Sequence, residues 1–176
     1  MSESLLPIAP SLDEPLEILA ACHDRIEQQL QTLAKLLDHL PQHGADQQAR
    51  QAARAVLRYF DTAGRNHHAD EEENLFPLLL VRAVDRPYLE SLLASLLHEH
   101  QQMETSWQTL QQQLLAVAGG EAMALDKNTA ENFSQLYRNH IARENAEILP
   151  LAARLLTTED LQQLSHAMTA RRQTTT

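Results

Sequence analysis

Two stretches of the chain carry apolar residues three and four apart with almost no fault. The first runs Leu16, Leu19, Ile26, Leu30, Leu33, Leu37 and Leu40; the second runs Leu89, Leu93, Leu96, Met103, Trp107, Leu110 and Leu114. Steps of three and four keep returning to one face of an α-helix, so each stretch is an amphipathic helix suited to a left-handed bundle. Each stripe is interrupted once by the same residue type, His23 in the first and His100 in the second. A polar ring on a buried seam needs a partner. With aromatics at 4% and only 4 glycines, strands have little support and helices are favoured.

The turn signals divide the rest. Pro41 to Gly44, Asp85 to Pro87 and Gly119-Gly120 separate four long stretches, about 13–40, 46–84, 87–118 and 127–156. Thr157-Thr158-Glu159-Asp160 opens a shorter fifth, with hydroxyls to cap and acids in the first turn. Residues 1–12, with Pro7 and Pro10, read as a mobile arm before one domain at 13–173. The expected fold is all-α: an up-down-up-down four-helix bundle with a short additional C-terminal helix.

Within the second and fourth stretches one pattern occurs twice: His67-x3-Glu71-x3-Leu75-Phe76-Pro77 and His140-x3-Glu144-x3-Ile148-Leu149-Pro150. Residues four apart share a helix face, so each copy offers an imidazole and a carboxylate to one point. Each helix thus contributes one inward histidine: His23, His67, His100 and His140. Counting residues to the neighbouring turns at about 1.5 Å each places all four near one level, within roughly two turns. Left unpaired, that much buried polarity would cost several kcal/mol per group. A metal site explains it.

Neighbouring residues are separated by register. His67 continues the Val56, Phe60 and Ala63 face and matches His140 relative to proline; His68 points about 100° away. His98 faces nearly opposite to His100, and His98-Glu99-His100 lacks the spacing of the zinc-protease motif. His39, His43 and His166 read as surface residues, Glu72 and Glu73 as outward or outer groups, and Cys22 as a small buried hydrophobe. Glu104, four after His100, repeats the His-x3-Glu spacing without the proline tail. It stays open between a third carboxylate, an outer group and an exposed acid. Pro77 and Pro150 each remove a helix hydrogen bond, which either bends the helix at the site or marks its approaching end.

Four imidazoles and two carboxylates, with no thiolate, suit Fe, Mn or Zn. Six donors exceed what one tetrahedral zinc takes, and two ions account for them better. The His-first order at spacing four also departs from the Glu-x-x-His of ferritin-type bundles. His67-His68-Ala-Asp-Glu71-Glu72-x-x-Leu75-Phe76-Pro77, Glu99-His100 and His140-x3-Glu144 resemble the hemerythrin family, in particular its bacterial HHE cation-binding domain. The resemblance runs from His23 to the end of the final helix at Arg171-Arg172. It implies a bundle holding two Fe ions with a bridging oxo or hydroxo group, Mn or Zn being substitutes, and His23, His67, Glu71, His100, His140 and Glu144 as ligands. Oxygen-carrying members have two histidines four apart on the third helix, whereas the second position here is Glu104. That difference moves the expectation from reversible O2 storage toward redox or oxygen sensing, stress response, NO or peroxide chemistry, or iron handling. The alternative is an enzyme that turns over peroxide or NO, or an iron donor in iron–sulfur repair.

The net charge of -10 and the absence of a dense basic run argue against nucleic acid. No apolar run approaches a membrane span, and the start of the chain shows no signal-peptide pattern. One cysteine excludes an internal disulfide and fits a reducing compartment, so the expected location is cytoplasmic. The expected partners are O2, NO or peroxide, with any protein partner unknown.

Overall fold

A computed structural model describes residues 14–83 and 85–174; the expected arm at 1–12 lies outside them. Pro15, at the first helical position where no hydrogen-bond donor is needed, opens α1 (Pro15–His43). Asp46 caps α2 (Gln47–Asp61) by accepting from the Ala49 amide. After Thr62 come α3 (Ala63–Asp70), a π-helical turn at Glu71–Leu75, and α4 (Phe76–Arg82). Pro87 opens α5 (Pro87–Gly119), which ends at Gly120 with φ 78°. Asp126 caps α6 (Lys127–Arg143), a second π-helical turn covers Glu144–Ile148, and α7 (Leu149–Leu155) and α8 (Thr158–Thr174) follow. All regular structure among the described residues is helical.

Two expectations about boundaries are corrected here. The stretches at 46–84 and 127–156 are not single α-helices, because each widens into a π turn that starts at the Glu of its His-x3-Glu pair, and the first also breaks at Thr62. Pro41 does not end the first helix but sits inside its last turn, and the chain leaves at Gly44 with φ 63°.

Neighbouring helices run in opposite directions, as paired contacts show. Between α1 and α2, Cys22 meets Tyr59 while His39 meets Asp46. Between α2 and α5, Arg54 meets Ala118 while Asp61 meets Trp107. Between α5 and α6, Gln113 meets Asp126 while Ser95 meets Arg143. Between α1 and α6, Glu27 meets Arg138 while His23 meets Asn145 across the start of the second π turn.

The apolar core is in two pieces. One gathers Ile26 to Leu40, Ala49 to Phe60, Met103 to Ala118 and Ala130 to Tyr137. The other gathers Leu19, Leu75 to Ala83, Leu89 to Leu96, Ile148 to Leu156, Leu164 and Met168. On every wall the gap between the pieces is where the inward histidine falls. A buried polar layer therefore crosses the bundle, closed by apolar packing above and below.

The last helix closes one side of that layer. Thr157 and Asp160 hold its start reciprocally, each accepting from the other's backbone amide. Asp160 also takes a two-pronged contact from Arg82. At the far end Arg171 and Arg172 both reach Asp70, which is 0% exposed.

Candidate metal centre

Six side chains make up the polar layer, none more than 3% exposed: His23, His67, Glu71, His100, His140 and Glu144. The Glu71 carboxylate lies 3.2 Å from His67 Nε2, 3.4 Å from His100 Nε2 and 3.8 Å from His23 Nε2. Glu144 lies 3.1 Å from His23 Nε2 and 3.2 Å from His140 Nε2. Ligating atoms fall into two tetrads, His23/His67/Glu71/Glu144 and Glu71/His100/His140/Glu144, each with its atoms within 4.8 Å of one another. Both carboxylates belong to both tetrads, and every imidazole belongs to one.

The arrangement fits cations. His23 Nε2, Glu71 Oε2 and both Glu144 oxygens are buried without a hydrogen-bond partner, and His100 Nε2 faces His140 Nε2 at 2.9 Å. Such groups are costly to bury unless something positive sits among them. Without metal, protons take that place. Burial opposes charge on His23, but Glu144 and Glu71 beside it outweigh burial and raise its pKa to about 10. Burial likewise opposes charge on His100, and Glu71 and Glu72 raise it to about 9. Burial pushes Glu144 upward, yet contacts from His140 and His23 hold it well below the usual carboxylate range. Burial and Glu144 both push Glu71 upward, and His67, His100 and His23 hold it down. Both carboxylates are therefore anionic, ready to exchange the protons of facing imidazoles for metal.

An outer ring of groups orients three of the four imidazoles. His23 Nδ1 donates to Asn145 Oδ1 at 2.7 Å, His100 Nδ1 to Glu72 at 2.6 Å and His140 Nδ1 to Glu99 at 2.8 Å. Arg143 pairs with Glu99. Such partners fix the tautomer and leave Nε2 free to bind. Asn145 was not singled out from sequence, while Glu99 and Asp70 appeared there only inside longer motifs, beside His100 and Glu71, with no role of their own.

All six expected ligand positions are thus brought together. His68 belongs to neither tetrad; its ring stacks on His100 with centroids 4.0 Å apart. Glu104, left open from sequence, is 48% exposed and faces Arg65 at 3.7 Å, so it is an outward acid. The inward residue after His100 is Met103, three positions on. The contrast with oxygen carriers therefore rests on a missing third-helix histidine, not on an extra carboxylate. His98 is exposed and bonds Gln102, and His166 is exposed on α8. His39 sits in the last turns of α1 against Asp46, and Cys22 is buried, where burial pushes its thiol up.

Pro77 and Pro150 fall one residue inside the helices that follow the π turns. In each turn the bond skips one residue further, Phe76 N–H to Glu71 O and Leu149 N–H to Glu144 O. The prolines, left open between bending the helix and marking its end, each follow a local widening that starts at a shared carboxylate, where such turns often mark functional sites.

Comparisons with known proteins agree with this geometry. The family described as Hemerythrin HHE cation binding domain matches residues 14–152. A Haemophilus influenzae protein described as uncharacterized is 32% identical over 161 residues, which is 92% of this chain and 91% of that one. The buried His/Glu layer and the extent of these matches agree: the chain belongs to the hemerythrin HHE cation-binding domain family.

Proposed function

We propose that the chain holds two iron ions, one per tetrad, joined by Glu71 and Glu144 and by an oxo or hydroxo bridge, with Mn or Zn as substitutes. We further propose that the pair binds or reacts with O2, NO or peroxide in redox or oxygen sensing or stress response, in the cytoplasm. The observation that carries the reading is the sharing of both carboxylates between two tetrads that each hold two separate imidazoles. Bound iron would supply one-electron chemistry and open coordination positions for a small ligand. The protein's part is placement. Glu71 and Glu144 set the spacing of the ions, the outer ring holds the imidazoles in orientation, and the two apolar pieces keep bulk water out. No helix among the described residues is long and apolar enough to cross a membrane.

Protein produced with iron supplied should contain about two irons per chain, and its ferric form should absorb in the near ultraviolet. One zinc per chain, with no uptake of iron after the zinc is removed, would overturn the reading.

A further inference from the structure

His68, half-buried beside the centre, is a histidine that the two tetrads do not use. Its Nε2 is shielded from solvent and has no hydrogen-bond partner. Leaving such a group unpaired is costly, so its place calls for a partner that arrives from outside. The ring lies flat on His100, 15° from parallel, with Tyr137 also stacked on it at 5.6 Å. It is thereby held against the wall of the His100/His140 tetrad. His68 and His100 together line a cleft of about 410 Å³ between α3 and α5, an opening that reaches a tetrad residue from the surface. At its mouth Glu72 pairs with His100, Glu73 with Arg171 and Glu104 with Arg65. His68 also borders a small pocket with Gly64, Arg65, Met103, Glu104, Trp107 and Tyr137.

Resting on the two-iron reading above, we propose that His68 is the hydrogen-bond partner of the small ligand bound at the His100/His140 tetrad, reached through this cleft. It positions that ligand and is not itself a metal ligand.

The probe is azide titrated at equilibrium into the ferric protein, followed optically, with iron content measured on the same samples. His68→Phe keeps a flat ring against His100 and Tyr137 but removes the nitrogen; His68→Gln returns a polar group. The expected result is about a tenfold higher azide Kd for His68→Phe at unchanged iron content. His68→Gln should recover part of the loss, which a purely structural role would not produce. An unchanged Kd in His68→Phe overturns the proposal. Iron loss in both variants overturns it too, by making His68 a ligand. Parent protein that takes up no iron would instead fail the two-iron reading before any variant is compared, and the proposal would fall with it.

Discussion

In the His100/His140 half of the centre, both outward ring nitrogens donate to carboxylates, Glu72 and Glu99. In the His23/His67 half, His23 donates to the neutral amide of Asn145, and His67 Nδ1 is buried without a partner. The inner contacts are near copies, because both halves use the same two carboxylates and two imidazoles each. The difference lies one bond further out. A carboxylate behind an imidazole makes it a more basic and better fixed donor. The same inner set can therefore hold two ions unequally. The sequence repeat predisposes the centre to symmetry, and residues outside the repeat remove it.

The largest effect should come from the residues the halves share. Glu144→Ala removes a carboxylate from both tetrads and leaves His23 and His140 facing no anion on that side. Iron content should fall from about two per chain to near none. Elemental analysis showing one iron retained would break the idea that Glu144 joins the halves.

Next come residues of one half only. His67→Ala and His140→Ala should each lower the content to about one iron per chain. The ion left in His67→Ala, backed by Glu72 and Glu99, should resist a competing chelator longer than the ion left in His140→Ala. Equal resistance would mean the outer carboxylates do not matter.

A finer cut leaves every inner donor in place. Glu99→Gln should weaken the His100/His140 half by about 10–100-fold, and Asn145→Ala should weaken the other half by less. Calorimetric titration of the metal-free variants separates the two. A larger loss from Asn145→Ala would reverse the ranking of the halves.

The smallest effect concerns protons. In the metal-free protein one imidazole in each half is raised, His23 to about 10 and His100 to about 9. Both should be charged at neutral pH, so metal uptake should release about two protons per chain. Because these folded values lie above the ordinary one, their contribution to metal-free stability is fully present below about pH 6.5 and lost as pH rises through about 9 to 10. Uptake without acidification of a weakly buffered solution would contradict this protonation pattern.

Much of this was legible from spacing. Each of the eight stripe positions predicted on α5, from Leu89 to Leu114 with His100 among them, is buried. A straight helix repeats its inward face in threes and fours, and the sequence follows that rule. The π turns left a signal of another kind. His67, Glu71, Leu75, Leu79 and Ala83 are all buried at steps of four, as are His140, Glu144, Ile148, Ala152 and Leu156. In an unbroken α-helix each such step gains about 40°, so four of them would carry the last residue about 160° from the first. A run of fours with no three is buried along its length only if the helix widens, and the widened turns fall in the middle of both runs. Glu104 shows the same rule from the other side, since α5 stays regular and the step of four from His100 leads outward. Of the outer partners only Glu72 was read as an outer group, and it does meet His100; Glu99 and Asn145 were not legible, because nothing local ties Glu99 to His140 across 41 positions.

Asp70 stands immediately before a shared carboxylate and is held by two arginines from the final turns of α8, 101 and 102 positions away. Residues 14–152 match the family, so Asp70 lies inside the matched region and the two arginines that brace it lie outside. The bundle thus supplies the donors, while the stretch beyond it fixes the backbone on which one of them hangs. Neutralising Arg171 and Arg172 would strand a carboxylate with no exposure to water beside Glu71. An event at the tail of the chain, such as charge loss or capture of those guanidiniums by another acid, would thereby be felt at the centre of the molecule without any contact to its ligands.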